Sequence, residues 1–235
     1  INASCGELAS TVTMLGAIAR EARIVTARMR VADIQKMHVA QPATISMLQV
    51  MPGLQTFPYV ASARAMQPLA RADRASFIVA NQVMAGGMGS VYTHKVRQHG
   101  VSYRPSGATH LSWQPRPVIM LHATFDSGKA HTGRELTLEA LQQWRSGDAS
   151  AFTPTRVGQA KDAIREQLAL SRMEFGALKY SLLADMDPDM YSTHEVEAAV
   201  NSVTPSGIQL AMQRYFTGAE VKESWVALDR SVLAV

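Results

Sequence analysis

Two threonine–proline pairs predict where helices begin in the second half of this chain. Thr153 is a residue type that caps helix N-termini, and Pro154 suits a first helical turn because its missing N–H would have no partner there. Thr204-Pro205 begins another helix in the same way. Apolar side chains follow both starts every three or four positions: Val157, Ala160, Ile164 and Leu168, then Ile208, Ala211, Met212 and Tyr215.

Glycines predict the ends of two earlier helices. A segment that begins at Asp73 carries apolar residues on one face, and the cluster from Gly86 to Gly89 breaks it. A short second helix follows and ends at Gly100. These glycines lack phosphate-loop spacing and follow a helix rather than a strand, so a helix-ending turn explains them better than a phosphate site. Three further helical stretches are predicted: residues 15–24, 132–144 and 192–201.

Three apolar runs have the length and composition of strands. They are TISMLQVM (44–51), which stops at Pro52-Gly53, VIMLHATF (118–125) and the closing WVALD (225–229), and VSYRPSG (101–107) is extended. The mixture predicts an α+β fold, an antiparallel or mixed sheet of about five to six strands with several helices largely on one face.

The domain organisation follows from the same segments. Residues 1–37 are predicted as an N-terminal segment, a linker or a helix joined to the domain, and residues 38–235 as one domain. Ten residues on apolar faces are predicted core positions: Met47, Val50, Phe77, Val83, Val118, Met120, Ile164, Leu168, Ile208 and Trp225.

Composition excludes several classes of protein. Hydrophobic residues make up 47% of the 235 residues, which is a globular composition. The net charge of +4 is scattered, so we do not expect nucleic-acid binding. No run approaches the roughly 18 apolar residues that a membrane span needs. The lone Cys5 excludes an internal disulfide framework.

The start of the chain leaves its origin open. It begins with Ile rather than Met, which indicates a trimmed, processed or partial chain. We expect a soluble protein, and both a bacterial periplasm and a cytoplasm are compatible with the sequence.

Catalytic chemistry is missing from the sequence. Zinc hydrolases hold the metal with two His on one helix face plus a carboxylate, and neither HxxEH nor HExxH occurs. None of the seven histidines has a partner at i,i+4 spacing. Neither the GxSxG nor the SxxK pattern of serine nucleophiles occurs. We therefore expect no catalytic residue, no metal site and no cofactor in this chain.

Four stretches in order resemble the insulinase-type (pitrilysin-type) zinc peptidases. Ala80 to Tyr103 resembles the signature in which a helix ends in a Gly-Gly turn, a short helix follows, and an Arg precedes Gly-x-x-Tyr. The other three are TPTRVGQAK (153–161), EVEAAVNSVTPSGIQLAMQRYF (195–216) and WVALD. Together they span about residues 40–230, and they are similar to the half of such peptidases that lacks the zinc motif.

The resemblance implies a role for Arg97 and Tyr103. In active members of the family these two side chains contact the substrate near the scissile bond. Five residues separate them here, where the family usually has six. The resemblance also implies that extended peptides add to an exposed strand. In the alternative, Arg97 pairs with an acidic side chain on the surface and Tyr103 packs at the end of a strand.

Two functions follow from the resemblance. The first is a non-catalytic subunit or half of a zinc peptidase that contributes peptide binding and chamber closure, inactive alone. Its catalytic partner chain or upstream half would carry HxxEH and the zinc, and the substrate would be a peptide or protein. The second is a scaffold or interaction protein of the same fold with no role in proteolysis. Pairing of the chain with itself stays open.

Overall fold

The centre of the fold is a five-stranded mixed sheet. A computed structural model describes residues 47–50, 56–102, 104–111, 116–173 and 193–227. The strands are β1 (Met47–Val50), β2 (Thr56–Arg64), β3 (Ser106–His110), β4 (Val118–Asp126) and β5 (Val221–Ala227). Their order is β1-β5-β2-β4-β3, in which β1 and β5 are parallel and the other neighbours antiparallel. The predicted α+β class is confirmed.

Two short 3₁₀ helices, Arg71–Asp73 and Ser127–Lys129, and a set of α-helices account for the rest of the regular structure in these ranges. The α-helices are α1 (Arg74–Ala85), α2 (Val91–Gln98), α3 (Ala130–Ser146), α4 (Pro154–Met173), α5 (Thr193–Ser202) and α6 (Pro205–Phe216). None of them is long and apolar enough to cross a membrane. The predicted helix at 15–24 lies outside the described residues.

The two threonine–proline helix starts are confirmed. The Thr204 hydroxyl accepts a hydrogen bond from Gly207 N, and the Thr153 hydroxyl accepts one from Arg156 N. Each bond satisfies one of the N–H groups that a helix leaves without a partner in its first turn.

Strand β2 is the element that the sequence did not predict. It pairs with β4 along its whole length and with β5 from Tyr59 to Ala63, so it lies in the middle of the sheet. Pro58 argues against a central strand because proline has no N–H to donate. The structure tolerates Pro58 because pairing with β5 begins only at the next residue, Tyr59.

Strand β4 buries the opposite face from the one predicted. Its alternation buries Ile119, Leu121, Ala123 and Phe125, and exposes His122 and Thr124. Val118 and Met120, predicted as core residues, share the face of His122 and are only partly buried. Four consecutive apolar residues begin this strand, so either face fitted the pattern.

The other predicted core residues give a clearer result where they are described. Phe77, Val83, Ile164 and Ile208 are buried, which confirms them. Leu168 is only partly buried against the core. The side chains of Met47, Val50 and Trp225 lie outside the part of the chain that the structure describes.

Helix α3 packs closely on β2 and β4 because small residues line the contact. Ala61 and Ala63 of β2 are buried under the helices. Gly133 of α3 lies against the ring of Phe125, and a Cβ at Gly133 would come within 2.5 Å of that ring. The spacing between helix and sheet therefore depends on glycine at this position.

Replacement of glycine by alanine should have opposite effects in two helices. Gly133→Ala should lower the free energy of unfolding by about 1–2 kcal/mol, because the added methyl overpacks the contact with Phe125. Gly158→Ala in α4 is the matched control, since a Cβ there meets nothing within 4 Å. It should raise the free energy of unfolding by about 0.5–1 kcal/mol. Urea denaturation of both variants tests this, and equal effects would contradict the packing argument.

A polar cluster joins α3 to the sheet. Arg134 binds Glu223 of β5 through two hydrogen bonds of 2.7 and 2.8 Å. The Tyr59 hydroxyl donates to the same carboxylate at 2.8 Å. Burial raises the pKa of Tyr59, and the bond to Glu223 raises it further. Glu223 therefore joins β5 to β2 through Tyr59 and to α3 through Arg134, and these polar groups satisfy one another's hydrogen bonds.

The raised pKa of Tyr59 predicts a loss of stability at alkaline pH. An unfolded tyrosine releases its proton near pH 10, whereas the folded protein retains it. The contribution of Tyr59 is thus complete below about pH 10 and declines above it, by up to about 1.4 kcal/mol per pH unit. Urea unfolding between about pH 9 and 11 should show a shallower decline in Tyr59→Phe than in the wild type. Identical slopes would contradict the assignment.

Candidate functional site

Helix α2 carries Arg97 and begins at a glycine turn. Helix α1 ends at Ala85 with Gly86 as its C-cap, and Gly87 has a φ of 120°, a conformation that favours glycine. Ser90 caps α2: its hydroxyl accepts from Thr93 N and donates to Gly87 O. The predicted helix, Gly-Gly turn and short second helix are therefore confirmed.

Polar contacts hold α2 against α3. The hydroxyls of Tyr92 and Thr137 are 3.0 Å apart in the buried interface. Lys95 forms an ion pair with Glu139 nearer the surface. Burial raises the pKa of Tyr92, and its hydrogen bond with Thr137 opposes this only in part. Both contacts fix the orientation of the helix that carries Arg97.

Gly100 turns the chain away from α2. It has a φ of 60°, in the left-handed region, and Val101 N donates to Val96 O across the turn. Lys129, next to the start of α3, donates from Nζ to Gly100 O at 2.7 Å. Gly100 was readable from the sequence as a helix end, but nothing in the sequence indicated that Lys129 would hold it.

Arg97 is exposed near the end of α2. Its Nη1 is in contact with Met88 Sδ, with the guanidinium N–H as donor and the thioether as acceptor. Within the described ranges no acidic side chain pairs with Arg97, so the surface ion pair that was the alternative does not form there. Tyr103 lies outside the described residues. The joint role of Arg97 and Tyr103 stays a prediction.

A small cavity lies near the other end of α2. Its volume is about 190 Å³, and its lining includes Gln82, Ser90, Arg156 and Gln159, but not Arg97.

A metal site needs several ligand side chains close together. Among the residues with described positions, no three His, Cys, Asp or Glu side chains are grouped so that they could hold a metal ion.

Strand β3 lies at one side of the sheet, close in sequence to Arg97. In the part of the chain that the structure describes, it pairs with β4 only. An unpaired strand edge presents backbone donors and acceptors to an extended peptide. The candidate site therefore comprises an exposed guanidinium and a strand edge that follows it closely in sequence.

Solved structures that share this fold include proteins named as proteases or peptidase domains. A peptidase M16 inactive domain from Pseudomonas fluorescens is 17% identical with a TM-score of 0.59, covering 81% of this chain and 46% of that one. A protease from Helicobacter pylori is 10% identical with a TM-score of 0.64, covering 77% and 43%. A chain of complex III2 from Candida albicans is 11% identical with a TM-score of 0.63, covering 82% and 49%.

These likenesses establish the fold. No protein-family model and no curated protein matches the sequence. The chain spans less than half of the length of each of the three solved chains. Its described part has the α+β fold of M16-type, that is insulinase-type, peptidase domains, as the sequence resemblance implied.

Substitution of Gly100 should loosen the turn after α2. Gly100→Ala places a side chain in the left-handed region and should lower the free energy of unfolding by about 1 kcal/mol. Gly89→Ala is the control, because a Cβ at Gly89 meets nothing within 4 Å. Hydrogen exchange at the Val101 amide should accelerate in Gly100→Ala and stay unchanged in Gly89→Ala. Unchanged exchange in both variants would contradict the need for glycine.

Proposed function

We propose that this chain is the non-catalytic subunit or half of an insulinase-type zinc peptidase. It would bind peptide and close the chamber, and a partner would carry HxxEH. The observation that carries the proposal is Arg97: in a fold shared with an inactive M16 domain, it is exposed near the end of an anchored helix without an acidic partner in the described ranges.

The chemistry of the pair fits this role. A guanidinium and a phenol are hydrogen-bond donors suited to a polarised carbonyl or a developing oxyanion. Anchoring of α2 to α3 and of Gly100 to Lys129 would hold the backbone of α2 at Arg97 in a fixed position during the reaction. An extended substrate would add to the edge of β3 through backbone hydrogen bonds.

Zinc chemistry would belong to the partner. The 235 residues contain no HxxEH, and the described side chains include no group of three potential ligands. In a catalytic half, two histidines and a carboxylate hold zinc, which activates water for attack on the peptide bond. This chain would contribute hydrogen-bond donors and a wall of the chamber.

A scaffold without a role in proteolysis is the second candidate. A chain of complex III2 from Candida albicans has the same fold, so the fold also occurs in an assembly that is not described as a protease. The interval of five residues between Arg97 and Tyr103 also favours this candidate. A scaffold would assemble with a partner, or with itself, without needing either side chain.

Substitutions of the pair test the first candidate. In the complex with its HxxEH partner, Arg97→Ala and Tyr103→Phe should each lower peptide turnover about tenfold or more, because each removes one donor to the reacting carbonyl. Arg116→Ala is the charge-matched control. Arg116 is exposed and lies just before the first residue of β4. Lys129, which contacts Gly100, follows the last residue of β4. The control residue and the turn after α2 are therefore at opposite ends of this strand. Turnover in this control should remain at the wild-type rate.

The same experiment should identify the partner. In co-purification, the tagged chain should retain a protein that contains HxxEH. Only the mixture of the two proteins should cleave peptide, and chelation of zinc should abolish this activity. Zinc content and complex size, measured for each variant, should stay unchanged. Wild-type turnover in both Arg97→Ala and Tyr103→Phe would favour the scaffold.

A further inference from the structure

Met88 is an exposed methionine in the glycine turn before α2. Its side chain is 67% exposed, although methionine usually packs in protein interiors. Gly87 and Gly89 flank it, and a Cβ at either glycine would meet nothing within 4 Å. Most of the surface of Met88 is therefore accessible to solvent and to small reagents.

Met88 also contacts Arg97, so a chemical change at the Met88 sulfur would affect the guanidinium. Arg97 Nη1 donates to Met88 Sδ, and a thioether is a weak acceptor. A guanidinium held by a weak acceptor can leave it for a better one, such as a carbonyl of a bound peptide. The strength of the acceptor at Met88 therefore controls how available Arg97 is.

We propose that Met88 is a site of reversible oxidation by peroxides and that its sulfoxide restrains Arg97. A lone pair on the Met88 sulfur attacks one peroxide oxygen, the O–O bond breaks, and a sulfur–oxygen bond forms. The departing hydroxide takes the proton from the transferred oxygen and leaves as water, so the sulfur loses two electrons and hydrogen peroxide is reduced. The product carries a strongly polar oxygen next to the guanidinium, where the thioether offered only sulfur.

The sulfoxide oxygen changes the competition for Arg97. It accepts a charge-assisted hydrogen bond, which is stronger than the bond to sulfur. Arg97 then stays at Met88 and is less available to other acceptors. Lower peptide turnover after oxidation would follow only if the proposed function holds, whereas the restraint of Arg97 does not depend on a substrate or a partner.

The other methionines provide internal controls. Met84 and Met212 are fully buried, so they should resist peroxide while the chain stays folded. Met66 is 52% exposed, so it should react as Met88 does. None of the described contacts of Arg97 involves Met66. Oxidation at Met66 therefore separates a general effect of exposed sulfoxides from the effect of Met88.

The experiment measures the reactivity of Arg97 directly. The full chain is treated with hydrogen peroxide and then with phenylglyoxal, an arginine reagent, and peptide mass mapping follows both Met88 oxidation and Arg97 modification. Oxidation should slow Arg97 modification about fivefold in the wild type, as one stronger hydrogen bond to a charged group predicts. The slowing should persist in Met66→Leu and disappear in Met88→Leu. Reduction by methionine sulfoxide reductases should restore the rate in the wild type.

Each of three results would overturn the proposal. The first is oxidation of Met84 or Met212 before Met88. The second is an unchanged rate of Arg97 modification after Met88 is oxidised. The third is equal slowing in Met88→Leu and in the wild type. Because Met88 is on the surface, Met88→Leu should fold normally, and circular dichroism of the variant checks this.

Discussion

The close contact between α3 and the sheet is the interaction on which the rest of this structure depends. Gly133 lets α3 approach Phe125, and the ion pair of Arg134 with Glu223 joins the helix to β5. Helix α3 then holds α2 through Thr137 and Glu139, while Lys129 holds the turn at Gly100. The position of Arg97 therefore depends on how α3 packs on the sheet, although the Arg97 side chain itself is exposed.

Helix ends were predictable from the sequence because local chemistry determines them. Thr153, Thr204 and Gly100 each satisfy or terminate backbone hydrogen bonding within a few residues. Strand β2 was not predictable in this way, since Pro58 is compatible with it only because of where β5 stops pairing. The buried face of β4 was equally ambiguous, and only the packing of α3 selects Phe125 over Met120.

Some features of the candidate site were likewise predictable from local sequence, and others depend on the fold. The sequence identified Arg97 by resemblance to a known pattern, and the glycines around it marked the turns that position it. Lys129 and Met88 could not be found in this way, because each meets its partner through the fold rather than through a motif. The acceptor that Arg97 binds depends on the surface opposite its guanidinium. No single sequence motif of this chain specifies that surface.

The arrangement of β2 and β5 has a consequence for how the chain folds. Tyr59 and Glu223 are 164 residues apart in sequence, yet they meet in adjacent strands. Every described helix lies between them, so β2 has no partner on one side until β5 has been synthesised. Contacts of such long range slow folding, and an unpaired central strand is prone to aggregation. A ribosome-bound chain that stops before β5 would therefore display the unpaired backbone edge of β2 for a chaperone to cover.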